Sequence, residues 1–117
     1  MEIIITNNPM VRDRLQGQEL EFCDTDCLGV FKAVRDKIHL GHRLLTHPLS
    51  GSVKPGETPY KTILITREKG SLDESSLSII EEALQTCVKM MPNAGKMELN
   101  DKIRADFQLV DYNLIFG

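Results

Sequence analysis

Short apolar runs alternate with helix-period stretches along most of the chain, and that alternation points to α/β units built on a parallel sheet. Ile3-Ile4-Ile5, set between Glu2 and Thr6, reads as a buried strand. Asn8-Pro9 follows as a helix N-cap with proline at the first helical position. A short helix over residues 9 to about 15 would place Val11 and Leu15 on one face, with Gly17 ending it. Residues 20–23 form a second short strand. Asp24-Thr25-Asp26 supplies a cap and a first-turn acid for a longer helix to about residue 40. Its apolar positions, Cys27, Val30, Phe31, Val34 and Ile38, fall on a single stripe, and Gly41 stops it. Residues 43–46 read as a third strand and residues 60–66 as a fourth. A third helix opens near Ser71 and Glu74, which are spaced as a capping box. Leu77, Ile80, Leu84, Cys87, Val88 and Met91 form its apolar face, and Pro92-Asn93-Ala94-Gly95 breaks it. Beyond that, Asn100 caps a helix as far as Phe107 in one reading, with residues 109–116 as strand or tail. The expected fold is a small three-layer α/β sandwich with a mostly parallel sheet of about four strands, in a single domain over residues 1–117.

The 117 residues are enough for one hydrophobic core and too few for two. With 41% hydrophobic and 26% charged residues, the chain is not of the disordered class. There is no Trp and aromatics are 5%, which removes a base-stacking platform; a net charge of −3 argues against a general nucleic-acid binder. The apolar runs are too short to span a membrane, and the first residues lack the pattern of a signal peptide, so a cytoplasmic protein is expected. Cys23, Cys27 and Cys87 are odd in number, and in a reducing compartment they read as small buried thiols rather than a disulfide framework.

The net charge hides a division. Residues 1–31 carry two basic and six acidic side chains, residues 32–69 eight and three, and residues 70–117 four and eight. The basic middle also holds His39, His42 and His47. It reads either as solvated helix and loop charge or as an electropositive site for a small anion or an acidic partner.

Within that middle third lies a thirteen-residue segment, 47–59, holding three of the five prolines. A connection of this length in a small domain is generally functional or disordered. Lys54-Pro55-Gly56-Glu57 suits a type II turn, which stiffens it. Ser50, Ser52, Thr58 and Tyr60 offer hydroxyls, and Lys54 and Lys61 offer amines, the groups that hold a carboxylate or phosphate. If the sheet is parallel, the segment leaves the carboxyl end of a strand, where open α/β folds place ligands, near the Asn7-Asn8-Pro9 turn. A clamp over a sheet edge is the structural alternative.

Three chemistries are weighed against this. The glycine spacing of Gly51 and Gly56 imitates a phosphate-binding loop, but Glu57 stands where the lysine belongs and Pro59 where a helix should start. The histidines lack a matching fourth ligand, so no metal is assigned, and no cofactor motif is present. His47 with Ser50 could act as base and nucleophile in acyl or phosphoryl transfer, though no nucleophile-elbow sequence accompanies them.

The stretch from Val34 to Pro55, with His47-Pro48-Leu49-Ser50-Gly51-Ser52 at its centre, resembles the GrdX family. Thr6-Asn7-Asn8-Pro9 and Glu57-Thr58-Pro59-Tyr60-Lys61 continue the resemblance. It implies a protein encoded with the glycine, sarcosine and betaine reductase systems of anaerobic amino-acid-fermenting bacteria, which use selenocysteine and thiol chemistry and yield acetyl phosphate. It implies no catalytic activity. The matching residues Asn7, Asn8, His42, His47, Ser50, Ser52, Lys54, Thr58, Tyr60 and Lys61 are therefore candidate ligand-binding positions without an inherited role. The leading expectation is an accessory protein that binds a small anion, phosphate or carboxylate, or a reductase component, through the 47–61 segment. A small transferase using His47 and Ser50 and a structural homodimer stand as alternatives.

Overall fold

Ile3-Ile4-Ile5 is apolar on both sides because its strand is central and covered on both faces. The computed structural model describes residues 2–49, 59–94 and 100–117. Its elements are β1 (Glu2–Thr6), α1 (Pro9–Arg14), β2 (Leu20–Phe22), α2 (Cys27–His39), β3 (Thr62–Thr66), α3 (Glu74–Ala94) and α4 (Asp101–Phe116). The strand order is β2-β1-β3. β1 and β2 are parallel, with Ile4 opposite Leu20 and Thr6 opposite Phe22. β1 and β3 are antiparallel, with Glu2 opposite Thr66 and Thr6 opposite Thr62.

The sheet of the described residues is thus mixed and three-stranded, which corrects the expected, mostly parallel sheet of about four strands. The reason lies in residues 43–46. They lie along the outer edge of β3 but pair only at Leu44, antiparallel to Ile65. The Thr66 amide donates to the Arg43 carbonyl (2.8 Å) and the Leu45 amide to the Leu64 carbonyl (2.9 Å). Residues 43–46 therefore run in the direction of β1, and β3 doubles back against them. The handedness rule for strand–helix–strand units governs parallel neighbours only and says nothing of such a return.

The core lies on one face of the sheet. Ile5, Ile63 and Ile65 project toward α2 and α3. The α2 stripe of Cys27, Val30, Phe31, Val34 and Ile38 is wholly buried, as its spacing predicts, and meets Ile80, Ala83, Leu84 and Cys87 of α3. Each full burial of a large aliphatic side chain contributes about 1.5–3 kcal/mol. On the other face Ile4, Thr6 and Thr62 are buried, and α4 packs against β3 and α1.

The helix ends follow local chemistry. Asn8 caps α1 by accepting from the Met10 amide (3.0 Å), and Asp26 caps α2 by accepting from Gly29 (2.9 Å). After α2, Gly41 takes φ +109°, and its carbonyl accepts from the Gly70 amide (3.0 Å). A Cβ there would strike the Gly70 backbone, so both the dihedral and the close approach require glycine. The capping box expected of Ser71 is replaced by Asp73, whose carboxylate accepts from the Ser76 amide (3.1 Å) and hydroxyl (2.5 Å). A carboxylate one residue before the helix satisfies two donors there, which leaves the exposed Ser71 no such role. α3 ends at Ala94, within the stretch expected to break it. Asn100 caps α4 through the Ile103 amide (2.8 Å), and the helix continues to Phe116. No glycine or proline interrupts residues 101–116, so the expected strand or tail at 109–116 is helix as well. Among the described residues no helix is long and apolar enough to cross a membrane.

Candidate functional site

The carboxyl ends of the parallel pair converge with the start of β3. Asn7 and Asn8 leave β1, Cys23 leaves β2 with its amide donating to the Thr6 carbonyl (2.8 Å), and Lys61 enters β3. One buried amide ties these segments together. The Asn7 Nδ2 donates to the carbonyls of Thr25 and Pro59 (both 2.8 Å), while its Oδ1 accepts from the Lys61 amide (2.8 Å). Asn8 does the same on the α4 side: Nδ2 donates to the Gln108 carbonyl and to Asp111 Oδ2 (both 2.9 Å). Both hydrogens of each amide are thereby engaged within the fold, and Asn7 and Asn8 hold the site rather than face solvent.

Asp111 is the buried acid of this cluster, 5% exposed. Thr62 Oγ1 donates to it at 2.7 Å. Because Thr62 gives its proton there, Thr6 is the donor in the 2.7 Å contact between the two threonine hydroxyls. Burial pushes the Asp111 carboxyl above its ordinary range, against the opposing pull of Thr62, Asn8 and the Lys61 charge. Lys61 is half-buried, and its ammonium is lowered by that burial against the opposing fields of Cys27 and Asp111. Among the described residues no carboxylate stands within ion-pair distance of it. Tyr60 Oη accepts from Gln108 Nε2 at 3.0 Å, which ties α4 to the same corner. Beneath the corner, the Cys27 thiol is held well above the ordinary thiol range, first by its hydrogen bond with Cys87 and then by burial. That thiol is not poised as a nucleophile.

His42 is buried at the opposite end of β3, where its Nδ1–H donates to the Thr66 carbonyl (2.6 Å). Five strand residues, about 16 Å, separate that position from Lys61, so His42 does not join the corner. His47 is exposed, and its Nδ1 accepts from the Leu49 amide at 3.1 Å. Ser50, Ser52, Lys54 and Thr58, with the turn expected at 54–57, lie outside the described residues. Asn7, Asn8, Tyr60 and Lys61 are brought together. Sequence reasoning missed Thr6, Thr62, Gln108 and Asp111. An acid at a helical spacing of four from Phe107, in an uninterrupted helix, was the available signal for Asp111.

A family model described as GrdX-like protein matches residues 3–117, nearly the whole chain and all of this corner. The chain belongs to the GrdX-like family. Comparison of this GrdX-like chain with curated proteins and with solved structures gives no match.

Proposed function

We propose that this GrdX-like protein is an accessory protein of a glycine, sarcosine or betaine reductase system, and that it binds a small anion through the Lys61 end of the 47–61 segment. The observation that supports this reading is the half-buried Lys61 ammonium, without a paired carboxylate among the described residues, beside an acid whose own charge is disfavoured. A cation so placed gains more from a bound phosphate or carboxylate than one in bulk water. It stands beside the carboxyl ends of the β1–β2 pair, where α/β folds hold ligands. Asn7 fixes the Lys61 backbone and Asn8 fixes α4 behind it, so these two act as positioning residues. By sequence, Ser50, Ser52, Lys54 and Thr58 add further donors to the same segment.

Thermal-shift titration with phosphate, acetyl phosphate, glycine and betaine tests the reading. A true ligand at 100 times its Kd should add about 2.7 kcal/mol of stability. Lys61→Met should abolish the shift while keeping the fold. Absence of any shift in wild type, together with failure to co-purify with reductase subunits, would reject the proposal.

A further inference from the structure

Between α2 and α3 a groove of about 490 Å³ opens to solvent. Its floor is Leu28, Leu84 and Val88, and its rim is Lys32 and Arg35 from α2 with Lys89 from α3. The α2 residues stand at i, i+4 and i+7, so they share one face over about two turns, roughly 10 Å. The floor continues the core: Leu84 belongs to it and Leu28 packs against it. Val88 does not close over; it is 56% exposed although its helical spacing places it on the apolar face. Among the described residues no carboxylate lines the groove. Among the described residues none of the three cations meets a carboxylate at ion-pair distance.

We propose that this groove docks a short acidic amphipathic helix of a partner protein. The channel between two packed helices accepts a third helix laid along it. Aliphatic anchors at i, i+3 or i+4, and i+7 would fill the Leu28–Leu84–Val88 floor, and flanking carboxylates would meet Lys32, Arg35 and Lys89. A second copy of this chain matches less well. The exposed apolar residues Ile103, Val110 and Leu114 on α4 could reach the floor, but the exposed charges of that helix are Asp101 and Asp106 against Lys102 and Arg104. They bring no net negative charge to a cationic rim. The groove shares no residue with the Lys61 corner.

Fluorescence anisotropy of the full chain with a labelled peptide of about 15 residues tests it. The peptide carries leucines at i, i+3 and i+7 with glutamates beside them. Saturable binding is expected, weakened about tenfold or more at about 0.5 M salt and by Lys32→Glu combined with Arg35→Glu. Val88→Asp should weaken it as well. Circular dichroism confirms that each variant folds; should the double reversal fail, Lys89→Glu, an exposed single change, gives the same readout. No binding by folded wild type, or equal binding of a lysine-flanked analogue, would overturn the proposal. So would a dimer seen by light scattering that the charge reversals dissolve, or tighter binding to phosphatidylglycerol vesicles than to the peptide.

Discussion

Asp111 is a single side chain on which one corner of the molecule depends. Its Oδ2 collects hydrogen bonds from Asn8 and Thr62, so Asp111→Ala leaves two buried donors short of a partner. That loss should cost about 1–3 kcal/mol in chemical denaturation. Asp111→Asn keeps an oxygen for both donors and removes a charge that burial disfavours, so it should be close to neutral at pH 7. Wild type and Asp111→Asn differ in pH dependence. Burial raises the folded Asp111 above its ordinary value of 3.8. The folded state therefore holds the proton more tightly than the unfolded chain. This contribution is fully present below the unfolded value and is lost as pH rises through the folded one. Relative to Asp111→Asn, wild type should lose stability from pH 4 toward neutrality; a constant gap would show that Asp111 titrates normally. Gly41 is the second such residue, its φ of +109° and its contact with Gly70 excluding a side chain. Gly41→Ala should lower stability by about 1–3 kcal/mol or more.

At the scale of elements, α4 is the informative one, because it presents several apolar residues outward and a mixed polar and aromatic set inward. Ile103, Leu109, Val110 and Leu114 are exposed, while Phe107, Gln108, Asp111 and Tyr112 face the molecule. Pattern reading assumes that the apolar face is the buried one, and here the docking face is held by hydrogen bonds from Asn8 and Thr62 and by the Arg14 guanidinium stacked 4.9 Å from the Tyr112 ring centre. That is why α2, with its single buried stripe, was legible and the second half of α4 was not. Strand direction was illegible for a related reason: burial patterns record which face is covered, not which way a strand runs. Asn8 couples two elements, since it caps α1 and binds α4. Asn8→Ala should therefore cost more than the ~1 kcal/mol of an isolated cap. It should also speed amide exchange through α4, measured by hydrogen–deuterium exchange, while α2 stays protected. Equal loosening of both helices would mean that Asn8 supports the whole fold and not this junction.

Across the whole molecule, the charge division read from the sequence is partly undone by folding. Two cations of the basic middle meet acids of the first third: Lys37 lies 3.3 Å from Glu21 and Arg67 lies 3.0 Å from Glu19. Segments that are distant in sequence are brought side by side at β2, so a stretch of like charge in the chain is not a patch of like charge on the surface. The candidate site was legible as far as Asn7, Asn8, Tyr60 and Lys61, which stand in two motif segments that the antiparallel β1–β3 pairing joins; the acid behind them comes from a helix about fifty residues after Lys61, in a segment with no such motif. Partly exposed pairs such as these two contribute about 0–1 kcal/mol each and are screened by salt. Raising salt to about 0.5 M should then change stability by less than about 1 kcal/mol, a few degrees in Tm at most. Recognition should respond otherwise, because Lys61 and the groove cations lack ion-pair partners among the described residues and would gain them from a ligand. The same salt should weaken phosphate at the Lys61 corner and the acidic peptide at the α2–α3 groove by about tenfold. Parallel Tm and binding measurements over one salt series separate the two effects. A large drop in Tm would place the unpaired cations within the fold's own electrostatics, and the case for either site would lose its basis.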